Sequence, residues 1–172
     1  MGDEAAKKRA LENHLKEDWR TVHDIWPHVG ATSGTMVVSS NQTSTTTTAA
    51  NVIGLGFQVA ANKIYGFRFF LHANSAAGQT AIDYQFTGPG GANIYFVFSH
   101  WGVTPAFEEE QVGAFSTKTT AANQAITHNF NRLEGVILNG ANAGLLQLQF
   151  SSEANDEVTI HRGSWGTWHL LD

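Results

Sequence analysis

Gly144-Leu-Leu-Gln-Leu-Gln-Phe150 is the stretch whose reading decides the fold class. Leu146, Leu148 and Phe150 alternate with Gln147 and Gln149, and a period of two gives one apolar and one polar face only to an extended strand. A polar turn over 151–156 follows, then Val158-Thr-Ile-His-Arg162, a Gly163-Ser164 break, and Trp165-Gly-Thr-Trp-His-Leu-Leu171. The C-terminal third therefore reads as strands, and its large apolar residues tie it into a sheet. The same alternation occurs upstream, with Tyr65, Phe67, Phe69 and Leu71 opposite Arg68 and His72, and with Ile82, Tyr84 and Phe86 opposite Asp83 and Gln85.

Between these stretches the chain keeps the same character. Val52–Val59 and Ile94–Phe98 read as strands, the second apolar on both faces. Gly88-Pro-Gly-Gly91 is a turn, because proline fixes φ and glycine supplies positive φ. Residues 102–113, with Pro105 and Glu108-Glu-Glu110, read as an excursion whose acidic run is solvated. Residues 114–118 are expected to pair weakly. Residues 126–138 form a long strand with a bend or bulge at Gly135. The fold class expected is mainly β, an antiparallel jelly-roll sandwich of about eight strands. No strand–helix alternation points to a parallel sheet.

Residues 3–26 differ in kind, holding 11 of the chain's 25 acidic and basic residues. Leu11, Leu15, Trp19, Val22 and Trp26, with Ile25 beside them, recur at spacings of four, four, three and four, one apolar stripe of a helix. Pro27 ends it. Three or four turns are marginal alone in water, so the stripe needs a surface: the chain's own sheet, or a partner on which it docks or self-associates. The organisation expected is an amphipathic helix over 1–27, a connector and Thr/Ser-rich lead over 28–51 with a candidate first strand at 35–39, and a β domain over 52–172. Asn41-Gln-Thr43 matches the N-glycosylation pattern, which is too common by chance to carry weight.

Composition narrows the function. Charged residues are 15% of the chain and the formal net charge is −5, with no basic stripe to neutralise phosphates, so nucleic acid is not an expected partner. The absence of cysteine removes disulfides and thiolate metal sites. No run of about 18 apolar residues spans a membrane, and the charged N-terminus is not a secretory signal.

A search for chemistry finds no catalytic, metal or cofactor site. His14 and His23 do not stack on the helix, and His72, His100, His128, His161 and His169 fall on separate strands or ends with no HExxH spacing. Asp83 and Glu134 are the candidate acid–base pair, but paired carboxylates act only at a fixed separation, which their places in the sequence do not supply. Ser164, in Gly-Ser-Trp-Gly, lacks the nucleophile-elbow pattern. The aromatic residues are more informative. Tyr95 and Val97 occupy the second face of an already apolar strand and are candidate subunit contacts. Trp165 and Trp168, three apart, belong on opposite faces of a strand, so one of them is expected at an interface or a bound sugar.

Four segments carry a resemblance: Tyr65-Gly-Phe-Arg-Phe-Phe-Leu71, Ile82-Asp-Tyr-Gln-Phe-Thr-Gly-Pro-Gly-Gly-Ala92, Gly144–Phe150, and Val158-Thr-Ile-His-Arg-Gly-Ser-Trp165. In this order the chain resembles tailed-bacteriophage virion proteins of the minor structural, tail-fibre-like and head-decoration type. The resemblance covers roughly residues 35–171. It implies a small antiparallel jelly roll, similar in outline to tumour-necrosis-factor-like and C1q-like heads, homotrimeric and built into a virion made in the host cytoplasm. It further implies a non-enzymatic capsid decoration, head fibre or spike that meets the major capsid or another virion protein. The alternative is a tail-fibre head that binds a host surface glycan. The helix before residue 27 and the acidic run at 108–110 depart from the pattern.

Overall fold

The computed structural model describes residues 33–76, 80–101, 107–121 and 129–172. The helix expected over 1–27, with Leu11, Leu15, Trp19, Val22, Ile25 and Trp26, lies outside the described residues. Within them are twelve strands rather than about eight: β1 (Ser33–Val37), β2 (Gln42–Ser44), β3 (Ala50–Val59), β4 (Ile64–Ser75), β5 (Ile82–Thr87), β6 (Asn93–Trp101), β7 (Phe107–Val112), β8 (Thr119–Ala121), β9 (Asn129–Leu138), β10 (Gly144–Ser152), β11 (Val158–Ile160) and β12 (Trp165–Leu170).

All pairings are antiparallel, and they build two sheets. The larger runs β1-β12-β4-β9-β6-β7, with β11 pairing β2 and the far end of β4; the smaller runs β3-β10-β5-β8. The pairs β3/β10, β4/β9, β5/β8 and β6/β7 are nested in sequence and alternate between the sheets. Strands β1, β2, β11 and β12 are added at the β4 side of the larger sheet. The Thr/Ser-rich lead thus supplies β2 and the start of β3, because threonine's branched side chain suits a pleated surface.

The period-two residues meet between the sheets. Phe86 of the smaller sheet touches Phe67 (5.2 Å), Phe69 (5.6 Å) and Phe96 (4.9 Å) of the larger. Tyr84 packs on Phe98, and Phe57 stacks on Trp168. Leu146, Leu148 and Phe150 are buried among them. One mainly aromatic core therefore joins the two layers of an antiparallel sandwich.

Three sequence-based expectations are corrected. Residues 107–112, placed in the excursion, form strand β7, which pairs with β6 at the end of the larger sheet. Residues 114–118 form a turn, with Ser116 at φ 58°, and the pairing falls at β8 instead. The register of β9 passes unbroken through Gly135 on both sides. That glycine serves a close approach, since a Cβ there would collide with the carbonyl oxygen of Tyr95.

The irregularity lies instead where β3 pairs β10: Gln147 faces Gly56 but Gln149 faces Asn51, so β3 bulges over residues 52–55 opposite Leu148. Gln147 is not on a solvated face but buried. Its Nε2 donates towards the carbonyls of Val52 (3.0 Å), Leu55 (3.0 Å) and Leu148 (2.8 Å), the groups a bulge leaves unpaired. Gly56, opposite Gln147, makes room for it: a Cβ there would stand 2.6 Å from Gln147 Oε1. On the outer edge of β3 the Gln42 side chain acts as a substitute strand. Its Nε2 donates to Ile53 O and its Oε1 accepts from Ile53 N, both at 2.7 Å.

Tyr84 gives the core a pH dependence. Its hydroxyl accepts a hydrogen bond from Asn131 Nδ2 at 2.9 Å. Burial pushes its pKa well above the usual phenol value, and the Asn131 bond offsets this only in part. A folded-state pKa raised above the unfolded one leaves stability intact below the unfolded pKa of about 10 and erodes it as pH rises further. Melting temperature should therefore fall above about pH 10, and fall less steeply in Tyr84→Phe. Equal alkaline slopes for the two proteins would contradict this.

Candidate interaction face

The two outer faces differ in chemistry. On the smaller sheet, Gln85 Nε2 donates to Gln149 Oε1 and Gln149 Nε2 donates to Asn51 Oδ1, both at 2.8 Å, an amide row that pairs internally and stays at ease in water. Beside it Lys118 Nζ reaches Asp83 Oδ2 (2.9 Å), Thr47 O (2.9 Å) and Ser151 Oγ (3.1 Å). Such a face needs no cover.

The outer face of the larger sheet is aromatic and basic. Strand register sets Val37, Trp165, Phe70 and Arg132 side by side across β1, β12, β4 and β9. Trp165 stacks on Phe70 at 4.6 Å yet remains 40% exposed. In the next row Arg68 Nε donates to Glu134 Oε2 at 2.7 Å, and Arg132 Nη2 lies 3.5 Å from Glu134 Oε1, so one carboxylate sits between two guanidinium groups. The Arg68 guanidinium also lies 5.9 Å from the centre of the Phe70 ring. At one end Phe130 is 66% exposed and stacks on His72, which in turn stacks on His161 at 4.3 Å. At the other end, burial and then the charge of Arg68 lower the pKa of His169.

The sequence-predicted residues divide across the sheet. Trp165, Tyr95 and Val97 point to this outer face, and Tyr95 is 53% exposed. Trp168 points the other way, stacked 5.2 Å from Phe57 and edge-on to Tyr65 at 5.8 Å. The opposite-face expectation for the two tryptophans holds, and Trp165 rather than Trp168 is the one presented outward. Phe70, Phe130 and Arg132 were not singled out. The Phe69-Phe70 doublet was the signal, since two consecutive phenylalanines on one strand place one on each face.

The residues searched for chemistry are kept apart or are structurally occupied. Asp83 binds Lys118 and Thr120 on the outside of the smaller sheet, while Glu134 binds Arg68 on the outside of the larger. Ser164 Oγ donates to His161 O at 2.9 Å and accepts from His72 N at 3.0 Å, holding the β11–β12 corner. Among the described residues no group of three or more His, Asp or Glu is arranged to hold a metal ion.

No protein-family model matches the chain, and no curated protein matches it. Among solved structures it is similar to the infectious bursal disease virus VP2 subviral particle, at 10% identity and a TM-score of 0.26, over 81% of this chain and 40% of that one. It is also similar to infectious bursal disease virus Gx strain, at 10% identity and a TM-score of 0.21, over 81% and 39% of the two chains. For the Gt strain of that virus the values are 9%, 0.22, 83% and 42%. The chain thus spans about two fifths of the length of these neighbours. Overlap this loose leaves function to be argued from the residues themselves.

Proposed function

We propose that this chain is a non-enzymatic structural component of a bacteriophage virion, a homotrimeric jelly-roll decoration, head-fibre or spike protein attached through the helix at 1–27. The observation that carries the reading is how the four resembling segments pair. The segment at 65–71 lies in β4 and pairs with β12, where Phe70 faces Trp165, the last residue of the segment at 158–165; β11, which opens that segment, pairs with β4 just beyond, at residues 73–75. The segment at 82–92 contains β5 and bonds to β10, which contains the segment at 144–150. Segments far apart in sequence are thus neighbours in each sheet, as expected of one structural unit. The nested pairing, alternating between sheets, supports the jelly-roll reading.

In this reading the amide-rich face looks outward and the aromatic face, with Trp165, Tyr95 and Val97, meets neighbouring subunits. The Leu11/Leu15/Trp19/Val22/Trp26 stripe, with Ile25, buries on the capsid or another virion protein. Cyclic symmetry lets identical contacts add without open-ended growth. A protein lacking residues 1–27 should keep its β core and its cooperative melt but no longer join particles; unimpaired incorporation would refute the docking role. A native mass showing only monomer at high concentration would refute the trimer. A glycan-binding head is the second reading, favoured by the exposed indole of Trp165 beside Phe70.

A further inference from the structure

Asn139-Gly140 is the only asparagine–glycine pair in the chain, and it opens the turn from β9 into β10. Such a pair is chemically labile. Asparagine is thermolabile, and glycine has no side chain to hinder its own amide nitrogen from bending back onto the asparagine Cγ. Hydroxide removes the Gly140 amide proton, and the nitrogen's lone pair attacks Asn139 Cγ. The new C–N bond closes a five-membered ring and puts the negative charge on Oδ1. That electron pair returns as the Cγ–Nδ2 bond breaks, and Nδ2 takes a proton from water and leaves as ammonia. A second water opens the imide at either carbonyl, giving aspartate or isoaspartate.

The fold opposes each part of this reaction. Asn139 is buried, and its Nδ2 donates to Ala60 O at 2.7 Å and to Asn142 O at 2.9 Å. Loss of Nδ2 leaves both turn carbonyls without their donor. The backbone is tied as well, since Asn139 N donates to Lys63 O at 2.9 Å and Gly140 O accepts from Asn62 N at 2.7 Å. Gly140 is pressed against the turn at 88–91, where a Cβ on it would stand 2.6 Å from Gly91 O. The decisive atom is Asn139 Oδ1, which is buried and meets no donor among the described residues. The charge that attack on Cγ places on that oxygen would find neither a hydrogen bond nor water.

We infer that Asn139 is a deamidation site, held shut by the fold and opened when this end of the sandwich unfolds. Conversion is one-way. Afterwards a carboxylate oxygen stands where Nδ2 donated, facing the carbonyl oxygens of Ala60 and Asn142 with no hydrogen to offer. Isoaspartate also adds a methylene to the backbone between β9 and β10. The two turns that Asn139 clasps then cannot close as before, so the modified residue marks a chain that has opened. The inference is independent of the virion reading.

Peptide mass mapping of the full chain, kept in mildly alkaline buffer with and without denaturing guanidinium chloride, tests it. In denaturant Asn139 should convert before any other asparagine, to a mixture of aspartate and isoaspartate. In buffer alone its conversion should be slower by more than about tenfold, because only the opened population reacts. Equal rates in the two conditions, or another asparagine converting first in denaturant, overturns the inference. The Asn139→Asp variant tests the one-way character. Its melting temperature should fall by about 5 °C or more, and loss of a cooperative melt counts the same way. An unchanged melt would overturn that part.

Discussion

Replacing Phe86 by alanine should cost about 4 kcal/mol and lower the melting temperature by about 10 °C. Phe86 projects from the smaller sheet into a cage of Phe67, Phe69 and Phe96 from the larger, with ring centres 4.9–5.6 Å away. Truncation removes the transfer energy of a benzyl group and leaves a cavity whose walls belong to two different sheets. Each sheet is stiffened by its own ladder, so the walls can close only in part. Since domains of this kind are stable by about 5–15 kcal/mol, the variant would lose a large fraction of the total. Phe130→Ala, at a position 66% exposed, is the control and should change stability by less than about 0.5 kcal/mol. A loss below about 2 kcal/mol for Phe86→Ala would mean that this aromatic cluster does not hold the sheets together.

Gln147→Leu should cost about 2–4 kcal/mol, although leucine has similar volume and is more apolar. The amide serves Val52 O, Leu55 O and Leu148 O where β3 bulges against β10. It has two N–H groups for three carbonyls, so one bond is shared. Leucine supplies no donor, and water has little access to replace it. Gln149, two residues away, makes side-chain bonds with Gln85 and Asn51 on a partly wet face, where solvent can substitute. Gln149→Leu should therefore cost only about 1 kcal/mol or less. Urea midpoints of the two variants measure the difference, and equal shifts would remove the special role given to the bulge.

These two glutamines also mark how far the sequence could be read. In Leu146-Gln-Leu-Gln-Phe150 the alternation identifies the strand and its inward residues, and the structure buries Leu146, Leu148 and Phe150 as the period requires. Alternation assigns Gln147 and Gln149 to one polar face. It contains no information about a register shift, which depends on the partner strand and on the space left by Gly56. The bend expected at Gly135 failed for the same reason, because a glycine can mark a bulge or a close approach and only the neighbouring backbone decides which.

Much of the candidate face was legible in part. Trp165, Tyr95 and Val97 were found by asking which faces carry more bulk than one core needs. Arg132 and Phe130 were not, because they become significant only when register brings β9 alongside Phe70 and His72. The short strands β2 and β8 were beyond reach as separate elements, since three residues carry too little periodicity, whereas β11 is marked off by the polar turn before Val158 and the Gly163-Ser164 break after it. They exist because a longer neighbour offers a ladder to join.

The substitute strand at Gln42 has a consequence for timing. An outermost strand usually loses its amide protons to solvent quickly, because nothing lies beyond it. The Ile53 amide is covered by a side chain rather than by backbone, so its protection does not depend on a ladder opening residue by residue. It lasts as long as one glutamine keeps its rotamer. Exchange at that proton therefore reports the lifetime of a side-chain pose, even though it sits at the rim of a sheet.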